Sequence, residues 1–366
     1  MKKLHFALIG CGRISKNHIA AAAANPEIMD LAVVCDPVLE NAEKKANDYF
    51  EATGIKPAVY ADYKKALEEQ EIDCCAIATE SGYHAEIALY CIRRGKNVLI
   101  EKPMALSTDD AEQMINEAKK QGVTLGVCHQ NRFNAPVQEL HKAVADGRFG
   151  KLVSGTACVF WNRTMPYYEQ APWRGTWEQD GGTLMNQCIH DIDLLQWNLG
   201  GEPETVMAMT GNYLRDIHAE DFGAILIRFK NGAIGIVEGT TCVYPKNLEE
   251  TLTILGGTGT AVIGGIAVNR VEAWNFAAPA EQDSRIAALA GTDPKDVYGS
   301  GHNLLYADYI HAINTHTDPL VSGEEAVKAM KIILAAYKSQ KTGKAVPFDG
   351  LSFSTLDMDD SDVRFH

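Results

Sequence analysis

Residues whose types and spacing could do chemistry together stand at intervals along this chain. Gly10-x-Gly12-x-x-Ser15 follows an apolar run, His5 to Ile9, and opens a helical segment, Asn17 to Ala24. A Gly-rich turn from strand to helix lets a pyrophosphate approach the backbone, where helix N-terminal amides can bind it. Gly10 permits the tight turn and Gly12 the close approach, while Ser15 is small enough to replace the usual third glycine or alanine. Asp36 ends the next apolar run, 26 residues on (36 − 10). A carboxylate there accepts hydrogen bonds from the adenosine ribose hydroxyls and repels a 2′-phosphate, and Pro37-Val38-Leu39 offer no arginine to hold one, so NAD is favoured over NADP. Glu101-Lys102-Pro103 closes a further apolar run, Asn97 to Ile100. A lysine there can stabilise negative charge growing on an oxygen. Downstream, Asn186 and His190 are four apart and share a helical face. An imidazole has the pKa of a base that takes a hydroxyl proton as hydride leaves the carbon.

The elements that must position these groups follow from the apolar pattern. His5–Ile9, Leu31–Cys35, Asp73–Ala78, Asn97–Ile100 and Val123–Val127 read as short buried strands. Helical stretches lie between them: Asn17–Ala24, Glu40–Phe50, His84–Arg94 and Thr108–Gln121. The last has Ser107 or Thr108 as cap and Asp109 and Asp110 at the positive end of its dipole. This alternation predicts βαβ units and a doubly wound parallel sheet, an α/β Rossmann domain over residues 1–127. From 128 to 350 the pattern becomes β-rich: Leu152–Phe160, Ala224–Phe229, Ala233–Glu238, Thr251–Leu255 and Thr260–Ile263, with a hairpin signal at Lys230-Asn231-Gly232. An α+β domain with a large open, mainly antiparallel sheet is expected, closed by a helix over Glu324–Ser339. Residues 351–366 are expected to form a mobile acidic tail.

Composition bounds the function. The 366 residues carry a formal charge of −14, which argues against a nucleic-acid partner. No apolar stretch approaches a membrane span. The nine cysteines lie scattered, with no zinc-like spacing, so no metal is expected and a reducing cytoplasm fits.

Taken together, Gly10-x-Gly12-x-x-Ser15, Glu101-Lys102-Pro103, Gln130-Asn131-Arg132-Phe133 and Asp180-Gly181-Gly182 running to His190-x-x-Asp193-x-x-x-Trp197 resemble the glucose-fructose oxidoreductase, inositol dehydrogenase and MocA family. The resemblance extends to Ser322-Gly323-Glu324-Glu325-Ala326 and Ser339-x-x-x-Gly343. It implies NAD(P)-dependent oxidation of a sugar or polyol hydroxyl, with Lys102 and His190 acting together and Asn186 standing where many members carry Asp. It also implies a cofactor site of Gly10, Gly12, Arg13, Ile14 and Asp36, completed by Thr79, His84, Glu101, Lys102 and Gln130.

Arg163, Tyr167, Tyr168, Trp173, Arg174 and Trp177, read with Met185-Asn186-Gln187, are similar to the nucleotide-sugar branch, the 3-dehydrogenases of UDP-N-acetylglucosaminuronate. Arg163 and Arg174 could pair with a carboxylate or diphosphate. The two tryptophans could equally build the second domain's core. Arg132, Asn186, His190 and His302 complete the expected substrate contacts, with Tyr298 to His302 as a lid or substrate loop. A free-sugar or inositol dehydrogenase, or a non-catalytic NAD or sugar sensor on the same fold, are the alternatives. A homodimer or homotetramer through the second domain's sheet is expected.

Overall fold

The computed structural model describes residues 2–265, 268–289 and 301–364, which form two compact units. Tyr298 to Ser300 of the expected loop lie outside the described residues.

The first unit takes in residues 2–105, 110–130 and 301–326. Its strands are β1 (Leu4–Ile9), β2 (Met29–Cys35), β3 (Ala58–Tyr60), β4 (Cys74–Ile77), β5 (Asn97–Ile100) and β6 (Leu125–Val127). They pair in the order β3-β2-β1-β4-β5-β6, every pair parallel. The short apolar runs are strands because both faces are covered; all four residues of β4 are fully buried. Helices α1 (Ser15–Ala24), α2 (Leu39–Thr53), α3 (Tyr63–Glu69), α4 (His84–Ile92) and α5 (Thr108–Gln121) alternate with them. The three-residue β3 is only half-buried, which leaves no apolar run to read. The helix Gly301–Thr315, on the far side of the β-rich sequence, returns to this unit. Tyr306 and Tyr309 of that helix are buried against Phe6 of β1, with ring centroids 5.6 and 6.5 Å away. A linear division of the sequence assigns that segment to the second domain.

The second unit holds an eight-stranded sheet of β7 (Leu152–Phe160), β8 (Pro203–Gly211), β9 (Phe222–Phe229), β10 (Ile234–Thr240), β11 (Glu249–Gly256), β12 (Gly259–Gly264), β13 (Arg270–Phe276) and β14 (Val346–Pro347). The order is β13-β12-β11-β7-β10-β9-β8-β14. Only the central β7–β10 pair is parallel, and the expected hairpin joins β9 to β10. Helices α6 (Ala135–Ala145), α7 (Met165–Tyr168), α8 (Gly182–Asn186) and α9 (Ile189–Asn198) belong to this unit, with α8 and α9 against the sheet. Residues 351–364 differ from the mobile tail expected. Val363 is fully buried, Thr108 N–H donates to Phe353 O (3.0 Å) and Thr355 Oγ1 to Trp177 O (2.6 Å). The acidic residues there are caps: Ser354 with Asp357 and Asp359 with Asp362 each form a capping box on a short 3₁₀ turn.

No described helix is long and apolar enough to cross a membrane.

Candidate active site

In the first unit the expected cofactor residues all follow C-terminal strand ends of one parallel sheet. Gly10 follows β1, Asp36 β2, Thr79 β4, Glu101 and Lys102 β5, and Gln130 β6. The strand order reverses between β1 and β4, the switch point where ligands of open α/β sheets bind. Gly10 sits at φ +98°, and a Cβ there would stand 2.6 Å from Ala78 C. A Cβ on Gly12 would meet open space, which is the clearance a pyrophosphate needs. Ser15 Oγ donates to Gly12 O (2.6 Å) and so closes the turn. Asp36 organises the same loop: Oδ2 accepts from Cys11 N–H (2.9 Å) and Oδ1 from Val38 N–H (2.9 Å). Its carboxylate keeps lone pairs for ribose hydroxyls, so these residues fit NAD. Arg13 is exposed and Ile14 half-buried beside them, while Gln130 is buried.

His84 is buried between two carbonyls, with Nδ1 2.7 Å from Pro103 O and Nε2 3.1 Å from Thr79 O. Burial lowers its pKa despite both contacts. It therefore ties the loop after β4 to the Lys102-Pro103 turn.

Glu101 is 5% exposed, and Lys102 N–H donates to its Oε2 (3.3 Å). His18 Nε2 lies 3.1 Å from Oε1, and His18 Nδ1 is 2.7 Å from Tyr306 OH. His302 Nε2 stands 3.5 Å from the same Oε1 without an aligned hydrogen bond. His302 is thus buried beside Glu101, in the unit that carries the cofactor residues. No local spacing announced this cluster, because its members come from α1, the end of β5 and the helix Gly301–Thr315. Burial alone would raise the Glu101 carboxyl, but the His18 hydrogen bond and the attraction of His302 hold it well below the usual carboxylate range.

The second unit gathers the remaining residues. Asn186 ends α8, and its Nδ2 donates to Asp180 Oδ1. Asp180 Oδ2 accepts from Gly175 N–H (2.7 Å). Gln187 Nε2 lies 3.4 Å from Asn186 Oδ1 and donates to Tyr167 OH (3.2 Å), which also accepts from Arg174 Nη1 (2.6 Å). The Arg174 guanidinium stacks 4.4 Å from the Tyr167 ring and 4.6 Å from Trp173. One polar chain therefore joins Arg174 to Asn186, with His190 one turn further on α9. The carboxylate missing at position 186 has a near substitute in buried Asp180, a link that spacing alone did not reveal.

Arg163 lines a cavity of about 470 Å³ together with Asn162, Thr164, Tyr167, Pro245, Lys246 and Asn247. Its guanidinium lies 4.5 Å over Trp161. Tyr168, by contrast, is buried with its hydroxyl 3.1 Å from Thr241 Oγ1, and Trp177 packs edge-on to Tyr337 in the core. Arg132, expected at the substrate, is fully buried. Its Nε and Nη2 each donate to Asp193 at 2.7 Å, and the guanidinium lies 4.7 Å from the Trp197 ring. The Asp193 and Trp197 spacing thus builds a clamp on α9. Next to His190 in sequence, buried Asp191 is pushed up to about 8 by desolvation, and burial raises the neighbouring Glu250 carboxyl too.

Residues 4–129 match an oxidoreductase-family NAD-binding Rossmann fold, and residues 137–262 match the GFO/IDH/MocA C-terminal domain. The WlbA dehydrogenase of Bordetella pertussis, solved with NADH and UDP-GlcNAcA, is 38% identical with a TM-score of 0.87, over 94% of this chain and 98% of its own. The WlbA dehydrogenase of Chromobacterium violaceum, solved with the same two ligands, is 36% identical with a TM-score of 0.86, over 95% and 96%. The myo-inositol 2-dehydrogenase of Thermotoga maritima is 25% identical over 94% of this chain and 99% of its own. With both of its domains matched in order, and solved relatives aligned almost end to end, the chain belongs to the GFO/IDH/MocA family of NAD-dependent oxidoreductases.

Proposed function

We propose that the protein oxidises a ring hydroxyl of a negatively charged nucleotide-sugar, of the UDP-N-acetylglucosaminuronate kind, and passes the hydride to NAD. The observation that carries this is the cationic, aromatic lining of the second unit. Arg174 is pre-oriented by Tyr167 and Trp173, and Arg163 and Lys246 face one cavity. Planar guanidiniums held in place suit a carboxylate or diphosphate, and the aromatic faces suit a sugar or base. The likeness to two dehydrogenases that hold UDP-GlcNAcA supports the same class.

Bound NAD would supply the hydride acceptor. His190 would take the hydroxyl proton as the carbon loses hydride, and the Lys102 ammonium would stabilise the charge growing on the oxygen. Asn186, tied to Asp180, would orient a neighbouring hydroxyl or acetamido group. The cofactor residues would hold NAD against the β1–β4 switch point through the Gly10–Gly12 turn and Asp36.

A polyol or free-sugar dehydrogenase is the second possibility, supported by the end-to-end likeness to a myo-inositol 2-dehydrogenase. The Asn at 186 speaks against it. The nine free thiols support a reducing cytoplasmic setting. Screening UDP-sugars, UDP-sugar uronates, free sugars and inositols for NADH absorbance tests the proposal. Turnover confined to the charged UDP-sugars is expected, and turnover of inositol alone would reject it.

A further inference from the structure

We propose that Glu220 is a positioning residue for Asn186. It stands just ahead of β9 and ties down the first turn of α8 with both its backbone carbonyl and its side chain. It thereby fixes where the far end of that helix presents the Asn186 amide. This rests on the orienting role given to Asn186 above.

The geometry lies wholly within the second unit. α8 is only five residues long, so its first amides have no acceptors within the helix. Glu220 supplies them. Its backbone O accepts from Thr183 N–H (3.2 Å), and its Oε1 accepts from Leu184 N–H (2.8 Å). Tyr337 OH, from the helix Gly323–Thr342, stands 3.0 Å from the same Oε1 and also donates to Gly181 O. The other end of α8 is held by Asp180, which takes the Asn186 Nδ2 bond. Acidic side chains therefore pin this short helix at both ends.

The same arrangement gives the Asp180-Gly181-Gly182 motif its reason. Gly181 and Gly182 both take positive φ, +81° and +87°. A Cβ on Gly182 would overlap Glu220 Oε2, so only glycine lets the carboxyl reach the α8 amides. Oε2 itself is buried, and no hydrogen-bond donor among the described residues reaches it. A negative charge is not tolerated in such a place, and burial pushes the carboxyl up to about 8. Glu220 thus holds α8 as a neutral hydrogen-bond acceptor, which a glutamine can replace and an alanine cannot.

The test uses the full-length, NAD-loaded protein and a charged UDP-sugar. Glu220→Ala should lower kcat about 10- to 100-fold, the cost of displacing an orienting group by about an ångström. KM and NAD affinity should each change less than about threefold, because Arg174 and the cofactor residues are untouched. Glu220→Gln should restore kcat to within about threefold of wild type. In an Asn186→Ala background, Glu220→Ala should cost little more, since residues acting through one another are not additive. Tyr337→Phe takes one donor from the carboxyl and keeps the ring, and it serves should Glu220→Ala not fold. It should lower kcat about three- to tenfold, and that loss too should vanish in the Asn186→Ala background. Fully additive losses, or a Glu220→Gln variant as slow as Glu220→Ala, would overturn the proposal. Hydrogen exchange read by mass spectrometry over Gly182–Asn186 needs no substrate. Leu184 N–H should exchange at least about tenfold faster in Glu220→Ala and stay protected in Glu220→Gln. Unchanged exchange in Glu220→Ala would also overturn the proposal. Lost protection in a protein that oxidises no sugar would leave the hold of Glu220 on α8 standing and reject the substrate proposal instead.

Discussion

At the scale of single residues, the site is a set of charges held by neighbours. Arg174 is held by the Tyr167 hydroxyl and two aromatic faces. If it grips a remote anionic group, Arg174→Ala should raise KM for a charged UDP-sugar about 10- to 100-fold with kcat nearly unchanged. That is the loss of a charge-assisted contact common to ground and transition states. Steady-state kinetics checks this, and an unchanged KM would remove the anion-binding role. Asp36 leads to a second expectation: NADP should bind at least about tenfold more weakly than NAD, roughly 1.4 kcal/mol. Equal affinities on titration would contradict it. Asp36, Gly10 and Lys102 were legible because each closes an apolar run. His18 was not, because Glu101 and Tyr306 are near it only in the fold; Asp180 stood in a motif, but its bond to Asn186 follows no helical or strand spacing.

At the scale of elements, α9 concentrates the unusual electrostatics. Its Asp193 anchors Arg132, while neighbouring Asp191 is buried against Glu250 with its pKa up to about 8. A carboxyl raised above its unfolded value of about 3.9 binds more protons in the folded state. Its contribution to stability is therefore full below pH 4 or so and is lost as pH rises towards about 8. Urea unfolding midpoints should fall between about pH 5 and pH 8, and Asp191→Asn, which keeps the shape and cannot ionise, should flatten that slope. An identical slope in the variant would show that the acid pair does not hold its proton. Sequence spacing placed Asp191 beside His190 but could not reveal its burial, since Glu250 reaches it from β11.

At the scale of the whole molecule, the order of strands and helices was largely readable. The return of Gly301–Thr315 to the parallel sheet, and the packing of residues 351–364, were not. Both depend on contacts between distant parts of the chain, Tyr306 on Phe6 and Thr355 on Trp177, that no local pattern encodes. One face of the eight-stranded sheet leaves Val153, Leu226, Ile236 and Met209 exposed, with Ile236 directly opposite Leu226. Apolar rows of this kind invite pairing. Sedimentation should show a dimer or tetramer, and a 40.0 kDa monomer at micromolar concentration would contradict that. The measurement that tests the central claim most directly is single-turnover NADH formation from a UDP-sugar uronate by the wild type, Lys102→Ala and His190→Ala, with NAD affinity measured alongside. Each substitution should slow the turnover by about two to four powers of ten while changing NAD affinity less than roughly tenfold. Wild-type rates in His190→Ala, or a loss of NAD binding that accounts for the whole effect, would contradict the assignment of Lys102 and His190 to the reacting hydroxyl.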